Sequence, residues 1–446
     1  MKRLEPLRAA LCLFFAAATS SVWGQSVWSC SCGANPPGPP PPRELRPYAN
    51  VPEDLRPYNK LQEAYFENYT KLVEYNGAAR EVPTLRAPNV DEVRIGFLGP
   101  LENHRDERLG RMMLNGASLA IEEANAAGGY SGKPFKLMVH NDQAAWGASS
   151  NEAVKMAYDD KVWAMLGSIS GDSTHIALRV SLKAEVPIVN SAATDPTIPE
   201  TTIPWYLTTI QDDRVQGYTL ARRVYTDLGL RRVALLRVDE RYGKFGVAKF
   251  KDAARRLGYP VINEQRYPPD EEDFRRYLHF IEQSNVEAIV IWGDASKAGL
   301  IMKQMSELGM AQRVFGAYRV YGEELFQIAG NAAEGLEFVS PFDPTRNDPV
   351  WDSFNERFEK RYRKRPDVFA SLAFDTMNIL LRAICQAGLN RGKIRDALTA
   401  TTRYKGVTGE MTFDPNCKNI APMYLGVVHR GRAEFRLYGM DGPPVK

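Results

Sequence analysis

A serine-containing pentad and five histidines are the first places in this sequence to look for catalysis. The pentad Gly167-Ser168-Ile169-Ser170-Gly171 has the glycine–serine spacing of a hydrolase nucleophile turn, but Ile169 holds its central position. The histidines lack metal-ligand spacing; they are His104, His140, His175, His279 and His429. No GxxxxGK[ST] loop, and no GxGxxG loop after the first strand, is present to bind phosphates. We therefore predict that the protein is not an enzyme and has no cofactor and no metal site.

Small and polar residues instead follow short apolar strands. The run Val93–Gly99 (VRIGFLG) is such a strand, and a helical pattern follows from Gly110 to Ala126. Further strands are predicted at Val162–Gly167, Ala288–Trp292 and Arg313–Gly316. Strands that alternate with helices and are rich in β-branched residues favour parallel sheets covered on both faces. The predicted fold is α/β, with two doubly wound parallel-sheet lobes whose functional loops lie at the carboxyl ends of the strands.

The first 90 residues have a different character. Residues 1–24 combine a basic start with the apolar run Ala9–Ala18, which is typical of an export signal peptide. Residues 25–47 form a proline-rich tether, and residues 48–90 are predicted to form a helical extension because apolar positions recur at helical spacing. We therefore expect the mature chain to be periplasmic or extracytoplasmic. Lipid attachment at Cys30 stays open.

Composition and charge exclude further classes. Apolar residues make up 44% and charged residues 25% of the chain, as in soluble globular proteins. The net charge of +3 includes the basic leader, so the sequence has no electrostatic footprint of nucleic-acid binding. Cys385 and Cys417 are candidates for a disulfide in an oxidising compartment, which their spacing alone does not establish.

Several stretches, in their order along the chain, resemble the type I periplasmic binding proteins of branched-chain amino-acid transporters, the class of the leucine-binding protein. They are VRIGFLGP (93–100), NGASLAIEEANAAGG (115–129), GSISGDST (167–174), NSAATDP (190–196), DERYG (239–243) and AGNAAEG (329–335). The resemblance runs from about Asp91 to Tyr438. It implies two lobes joined by three hinge crossings, with a ligand between them and an ABC transporter permease as the partner. Lobe 1 is expected to comprise 91–213 and 342–408, and lobe 2 to comprise 214–341 and 409–440.

The resemblance also implies which residues contact the ligand. In the first lobe they are Ser168, Ser170, Gly171, Ser173, Ala192 and Thr194, and in the second lobe Tyr242. The loop 168–173 would offer hydroxyls and backbone N–H groups to a ligand carboxylate, and Tyr242 would close over the ligand. Alternatives stay open, because Ser173 and Thr194 are equally explained as helix caps. Ala192 is also explained as a packing residue and Tyr242 as part of a turn.

One loop departs from the amino-acid binders of the family. Those proteins place an acidic residue after the last second-lobe strand to hold the ligand's ammonium group, whereas this chain has Tyr318 and Arg319. An arginine would favour an anion and repel an ammonium group. Asp294 is either a replacement acid or the N-cap of the next helix, and Trp146 is either a wall of the site or packs on its own lobe. We predict a small carboxylate-bearing ligand, either an amino acid or a related acid.

Two other functions are compatible with the same two lobes. A ligand-sensing module would pass its ligand-bound state to a membrane signalling partner, and an enzyme would turn its ligand over. The missing nucleophile, base and metal set argues against the enzyme. Capture of a small molecule and its delivery to an ABC transporter is the function that the sequence predicts.

Overall fold

The computed structural model describes most of the chain that follows the predicted N-terminal segments. The described residues are Ala79, 90–201, 203–414 and 416–438. The predicted leader (1–24), the tether (25–47) with Cys30, and nearly all of the predicted helical extension (48–90) lie outside the described residues.

Five parallel strands form the sheet of the first lobe, and most of them are short apolar runs. They are β1 (Val93–Gly99), β2 (Phe135–Asn141), β3 (Met165–Leu166), β4 (Ile188–Asn190) and β5 (Tyr206–Thr208). Their order across the sheet is β2-β1-β3-β4-β5. In this register Val93 lies opposite Phe135, and Met165 lies opposite Ile188. Because the strand order reverses beside β1, a crevice opens at the carboxyl ends of β1 and β3.

Four helices connect these strands and cover the sheet. They are α1 (Glu107–Ala126), α2 (Trp146–Tyr158), α3 (Gly171–Ala184) and the single turn α4 (Thr197–Glu200). Helix α1 packs through residues at helical spacing, among them the buried Met112 and Leu119. Ahead of β1, the Ala79 N–H donates to Glu185 Oε2 at 2.6 Å, so the preceding chain contacts the C-terminal end of α3.

The second lobe is built on a larger sheet. Its first five strands are β6 (Val233–Val238), β7 (Asn263–Tyr267), β8 (Ala288–Trp292), β9 (Arg313–Gly316) and β10 (Glu337–Ser340). A hairpin of β11 (Arg403–Gly406) and β12 (Gly409–Thr412) precedes the last two strands, β13 (Tyr424–His429) and β14 (Arg432–Leu437). The sheet order is β14-β13-β10-β9-β8-β6-β7. Strands β6 to β10 run parallel as predicted, whereas β13 and β14 add an antiparallel edge that the sequence patterns did not predict.

The helices of the second lobe follow its strands. They are α5 (Asp213–Ala221), which continues as a π-helical turn (Arg222–Asp227), α6 (Arg241–Arg256), α7 (Arg275–Gln283), α8 (Ala295–Glu307) and α9 (Glu323–Ala329). A short 3₁₀ turn, Tyr318–Val320, leaves the carboxyl end of β9. This turn belongs to the second lobe by sequence, but the Tyr318 side chain packs in the core of the first lobe.

Three more helices return the chain to the first lobe. They are α10 (Pro349–Tyr362), α11 (Val368–Ala387) and α12 (Arg391–Ala400). By length and composition alone, α11 would be able to cross a membrane, but 83% of its apolar stretch is buried inside the protein. It packs against α1, where the Ala370 carbonyl lies directly over Gly116. Helix α11 is therefore the central core helix of the first lobe.

The chain crosses between the lobes at 209–212, 341–348 and 413–423. The last crossing lies later than the predicted boundary after residue 408, because Met411, Phe413 and Cys417 pack in the first-lobe core. The first and third crossings run side by side: Asn419 Nδ2 donates to the Thr209 carbonyl at 2.7 Å. A lobe boundary after residue 408 would separate β11 from β12 of the same hairpin, so the second segment of lobe 1 extends beyond residue 408.

The two candidate cysteines do not pair with each other. Cys417 carries a buried thiol, whereas Cys385 is disulfide-bonded. Cys417 lies on the third crossing and Cys385 lies in α11. The structure therefore excludes a disulfide between Cys385 and Cys417, a question that the sequence did not decide.

Candidate functional site

A cavity of about 200 Å³ lies between the two lobes, at the carboxyl ends of their strands. The first lobe contributes loops that follow β1, β2, β3 and β4, and the second lobe contributes loops that follow β6 and β9. This volume suits a small molecule rather than a peptide. Among the described residues, no group of three or more histidine, cysteine, aspartate or glutamate side chains is placed to hold a metal ion.

The N-terminus of α3 forms one wall of the cavity. Ser170 is the N-cap of this helix, and its hydroxyl accepts from the Ser173 N–H at 3.0 Å. Ser170, Gly171 and Asp172 line the cavity, so the positive end of the helix dipole faces it. Gly171 has no room for a larger residue, because a Cβ there would lie 2.7 Å from Asp195 Oδ2. This wall favours an anionic group.

The loop after β4 supplies a carbonyl and a hydroxyl. The Ala192 carbonyl accepts a hydrogen bond of 2.7 Å from the Tyr318 hydroxyl, which reaches across from the second lobe. Thr194 lines the cavity and is only 2% exposed. Its hydroxyl has no hydrogen-bond partner within the described ranges. The carbonyl is therefore occupied by the protein, whereas the Thr194 hydroxyl still needs a partner.

Arg319 is the buried cation of the site. Its Nη2 donates to the Ile169 carbonyl at 3.0 Å, and its Nε donates to the Tyr318 hydroxyl at 3.0 Å. The guanidinium carbon lies 4.3 Å from the centre of the Tyr242 ring, in cation–π geometry. Arg319 Nη1 lies 4.0 Å from Asp106 Oδ2, beyond hydrogen-bond distance. A guanidinium has five N–H donors, and the described residues accept from two of them.

Burial sets the protonation of the groups around Arg319. It opposes the charge of Arg319, but Tyr318, Tyr242 and Asp106 together raise the pKa of the guanidinium above its ordinary value. Burial also raises the pKa of the Tyr242 and Tyr318 hydroxyls. The same cause raises the pKa of Asp213, at the start of α5, well above its ordinary value. At neutral pH the deep end of the cavity therefore holds a cation and neutral hydroxyls.

The sequence pattern of the periplasmic binding protein family matches residues 92–433, which covers both lobes and the cavity. The chain belongs to this family. The predicted family and the predicted type I two-lobe α/β fold are thereby confirmed.

Relatives of this periplasmic binding protein are solute-binding proteins rather than enzymes, as the sequence predicted. The leucine-, isoleucine-, valine-, threonine- and alanine-binding protein of Pseudomonas aeruginosa is 24% identical over 328 residues, 73% of this chain and 86% of the relative. LivJ of Streptococcus pneumoniae, solved with isoleucine, matches with a TM-score of 0.71 and 25% identity, and the match covers 78% of this chain and 99% of LivJ. An ABC-transporter solute-binding protein of Rhodopseudomonas palustris BisB5, solved with 3,4-dihydroxybenzoic acid, matches with a TM-score of 0.70 and 20% identity, covering 78% and 96% of the two chains.

The predicted contact residues of this periplasmic binding protein divide into two groups. Those that line the cavity are Ser170, Gly171, Thr194, Tyr242 and Arg319. Ala192 and Tyr318 lie directly behind this lining and bond to each other across the lobes.

Two predicted serines are occupied by protein partners. The Ser168 hydroxyl donates to Asp142 Oδ2 at 2.5 Å, and the Ser173 hydroxyl accepts from Ser149 at 2.7 Å. Both serines are fully buried, so their hydroxyls position the loop rather than face the cavity.

Asp294 and Trp146 do not belong to the cavity lining, which corrects both predictions. Asp294 is the N-cap of α8, and its Oδ1 accepts from the Lys297 N–H at 2.9 Å and from the Ser296 hydroxyl at 2.7 Å. Its carboxylate thus satisfies the helix start and does not replace the missing acid. Trp146 begins α2 and is 58% exposed, so its ring packs neither on the ligand site nor in the core of its lobe.

Sequence reasoning missed the charged rim of the site. Arg241 Nε donates to Asp195 Oδ2 at 2.5 Å, and Arg241 Nη2 donates to the Thr197 hydroxyl at 2.9 Å. In the opposite direction, Arg105 of the first lobe forms an ion pair with Glu240 of the second. Burial raises the pKa of Glu240. The sequence position of Glu240 and Arg241 could have indicated this role, because both residues directly precede Tyr242 in a loop that the resemblance places at the cleft.

Proposed function

We propose that this periplasmic binding protein captures a small carboxylate-bearing ligand between its lobes and delivers it to an ABC transporter. The observation that carries the proposal is Arg319, a buried cation at the cavity. Two of its N–H groups donate to the protein, and the other three donate to no acceptor among the residues that the structure describes. A carboxylate suits a guanidinium, because it accepts two parallel hydrogen bonds from it. The charge of the ligand would also offset the burial of this cation.

The surroundings of Arg319 support the same ligand chemistry. The N-terminus of α3 at Gly171 adds a second favourable position for an anion. The buried hydroxyls of Thr194 and Tyr242 have no hydrogen-bond partners within the described part of the chain. Unpaired buried polar atoms cost free energy, so a ligand that bonds to them gains affinity. We expect Ser170, Gly171, Thr194, Tyr242 and Arg319 to contact the ligand.

Delivery and location rest on the family and on the leader. Relatives of this family are named as binding proteins of amino acids, and solved neighbours are named as parts of ABC transporters. The predicted export signal places the mature chain outside the cytoplasm, where a permease would receive the ligand. The fold itself leaves the ligand open, since one neighbour holds isoleucine and another holds a dihydroxybenzoate.

A thermal-shift series tests the capture step. The mature chain would be heated with aliphatic carboxylates, aromatic carboxylates, amino acids and sugars, beside an Arg319→Gln variant and an Arg255→Gln control. Arg255 is 79% exposed and pairs with Asp252 in its own helix. The same substitution there removes an arginine from the surface and serves as the control for the buried Arg319. A ligand at about 100 times its Kd stabilises the folded state by about 2.7 kcal/mol, which corresponds to a rise in Tm of about 3 °C for a chain of this length.

We expect a carboxylate to give this rise in the wild type and in Arg255→Gln but not in Arg319→Gln. Stabilisation by sugars alone, or an equal response of Arg319→Gln, would contradict the proposal. The delivery step is tested separately by uptake of the labelled ligand into proteoliposomes that carry a candidate ABC transporter. Uptake should require the binding protein.

A further inference from the structure

The carbonyl acceptors at the deep end of the cavity are already in use. An ammonium group brings three N–H donors and accepts nothing, so a site for it must offer several free acceptors. The carbonyls of Ile169 and Ala192 accept from Arg319 Nη2 at 3.0 Å and from the Tyr318 hydroxyl at 2.7 Å. Both donors come from the second lobe, so closing the lobes uses one of the two acceptor positions of each carbonyl and brings a guanidinium next to them.

The carboxylates around the cavity are also matched by arginines. Asp195 and Asp172 lie 2.5 and 3.6 Å from nitrogens of Arg241. Glu240 forms an ion pair with Arg105, and Asp106 lies between Arg105 and Arg319 at 3.8 and 4.0 Å. Every acidic side chain that lines the cavity therefore lies within ion-pair distance of an arginine. The four carboxylates thus share three arginines, and the pairs of Arg105 with Glu240 and of Arg241 with Asp195 join the two lobes.

Asp213 is the remaining acid near this end of the cavity. It is fully buried, and the neighbouring Thr194 hydroxyl favours its charged form. It does not line the cavity, and its backbone N–H is bonded to the Thr194 carbonyl at 2.8 Å. Burial is the larger effect and raises its pKa well above the ordinary value, which disfavours the charged form of this carboxyl.

We infer that the ligand is a carboxylate without an ammonium group, because Tyr318 and Arg319 donate to the backbone carbonyls at the deep end of the cavity and Arg319 places a buried cation there. The inference rests on the proposed function and narrows its ligand class. The guanidinium over the Tyr242 ring repels a second cation in a site with little water to screen the charges. The same guanidinium attracts the carboxylate, so one residue selects for the acid and against the amine.

Calorimetric titration with matched pairs of acids tests this directly. Leucine and 2-hydroxy-4-methylpentanoate have the same size and differ mainly in the ammonium group, as do phenylalanine and 3-phenyllactate. We expect the hydroxy acid of at least one pair to bind the wild type about 100-fold or more tightly than its amino acid. Putrescine serves as a purely cationic probe and should not bind.

Two variants place the selectivity at Arg319. Arg319→Glu replaces the cation with an acid and should lose the hydroxy acid while its preference shifts towards the amino acid. Arg255→Glu makes the same change on the surface of α6 and should keep the wild-type preference. Circular dichroism checks that both variants fold. If Arg319→Glu fails to fold, the wild-type pair still decides the inference.

The outcomes separate the two claims. An amino acid that binds the wild type as tightly as its hydroxy acid, or binding of putrescine, would overturn the inference and leave capture of a small ligand in place. If no carboxylate binds the wild type or raises its Tm, the proposed function fails, and the narrower ligand class falls with it.

Discussion

Asp375 is a buried carboxyl that joins α11 to the hairpin β11–β12 in the first lobe. It accepts hydrogen bonds from the Val407 N–H at 2.8 Å, from the Thr408 N–H at 2.9 Å and from the Thr408 hydroxyl at 2.6 Å. Burial nevertheless raises its pKa from 3.8 to about 6, because the lost hydration outweighs the hydrogen bonds to the charged form. Asp375 therefore makes the stability of the first lobe depend on pH.

The sign of this dependence follows from the raised pKa. The folded chain binds the proton more tightly than the unfolded chain does, so the stabilisation is complete below about pH 4 and is lost as the pH rises through about 6. A shift of about two pKa units corresponds to about 3 kcal/mol. We predict that the free energy of unfolding of the wild type, relative to Asp375→Asn, falls by about this amount from about pH 4 to about pH 7. Urea titrations at several pH values measure it, and a constant or rising difference would show that the three hydrogen bonds outweigh burial.

Single-residue roles at the site were only partly predictable. The resemblance to the family identified Arg319, because this arginine stands where the amino-acid binders are expected to carry an acid. The partner of Arg319 in the first lobe was not identified, since the Ile169 carbonyl comes close to it only when the lobes meet. The choice between cap and ligand contact also needed the structure. Ser170, not Ser173, caps α3, and Asp294 caps α8.

At the level of elements, the sequence patterns predicted the bounds of some strands and missed others. The strands at Ala288–Trp292 and Arg313–Gly316 have the predicted bounds. The strand predicted at Val162–Gly167 is reduced to Met165–Leu166, because only these residues pair with both neighbouring strands. Strands β13 and β14 were missed, since they pair with each other and with β10 through contacts that no local pattern specifies.

The contact between α1 and α11 depends on Gly116. A Cβ at this position would lie 2.0 Å from the Ala370 carbonyl oxygen, and a backbone atom of a buried helix cannot move aside easily. We predict that Gly116→Ala destabilises the protein by about 1–3 kcal/mol, although alanine itself favours a helix by about 1 kcal/mol over glycine. The unfolding midpoint in urea, read from circular dichroism, measures the change.

Gly147 provides the matched control for this prediction. It also lies in a helix, α2, but no atom lies within 4 Å of the position where its Cβ would be. Gly147→Ala should leave the stability unchanged or raise it by up to about 1 kcal/mol. If both variants lose the same stability, the loss does not come from the contact between α1 and α11.

For the whole molecule, the two lobes are joined by reciprocal ion pairs across the cleft. Arginines 105 and 108 of the first lobe pair with Glu240 and Glu324 of the second, whereas Arg241 of the second lobe pairs with Asp195 of the first. The hinge itself is compact, since Gln211 Nε2 donates to the Ala421 carbonyl at 3.1 Å between the first and third crossings.

We predict that these ion pairs hold the ligand-free protein closed and that salt opens it. The side chains of Arg105 and Arg241 are 29% and 27% exposed, so each pair contributes up to about 1 kcal/mol, and its loss shifts the closed-to-open ratio by up to about fivefold. The radius of gyration from small-angle X-ray scattering should therefore rise in an Arg105→Gln, Arg241→Gln double variant. In the wild type the radius should also rise when the salt concentration is increased from about 0.05 M to about 0.5 M, because the Debye length shortens.

Arg255→Gln, which removes an ion pair within one helix, should match the wild type at each salt concentration. A radius that responds neither to the double variant nor to salt would mean that Tyr318 and Arg319, through their bonds to Ala192 and Ile169, suffice to keep the lobes together.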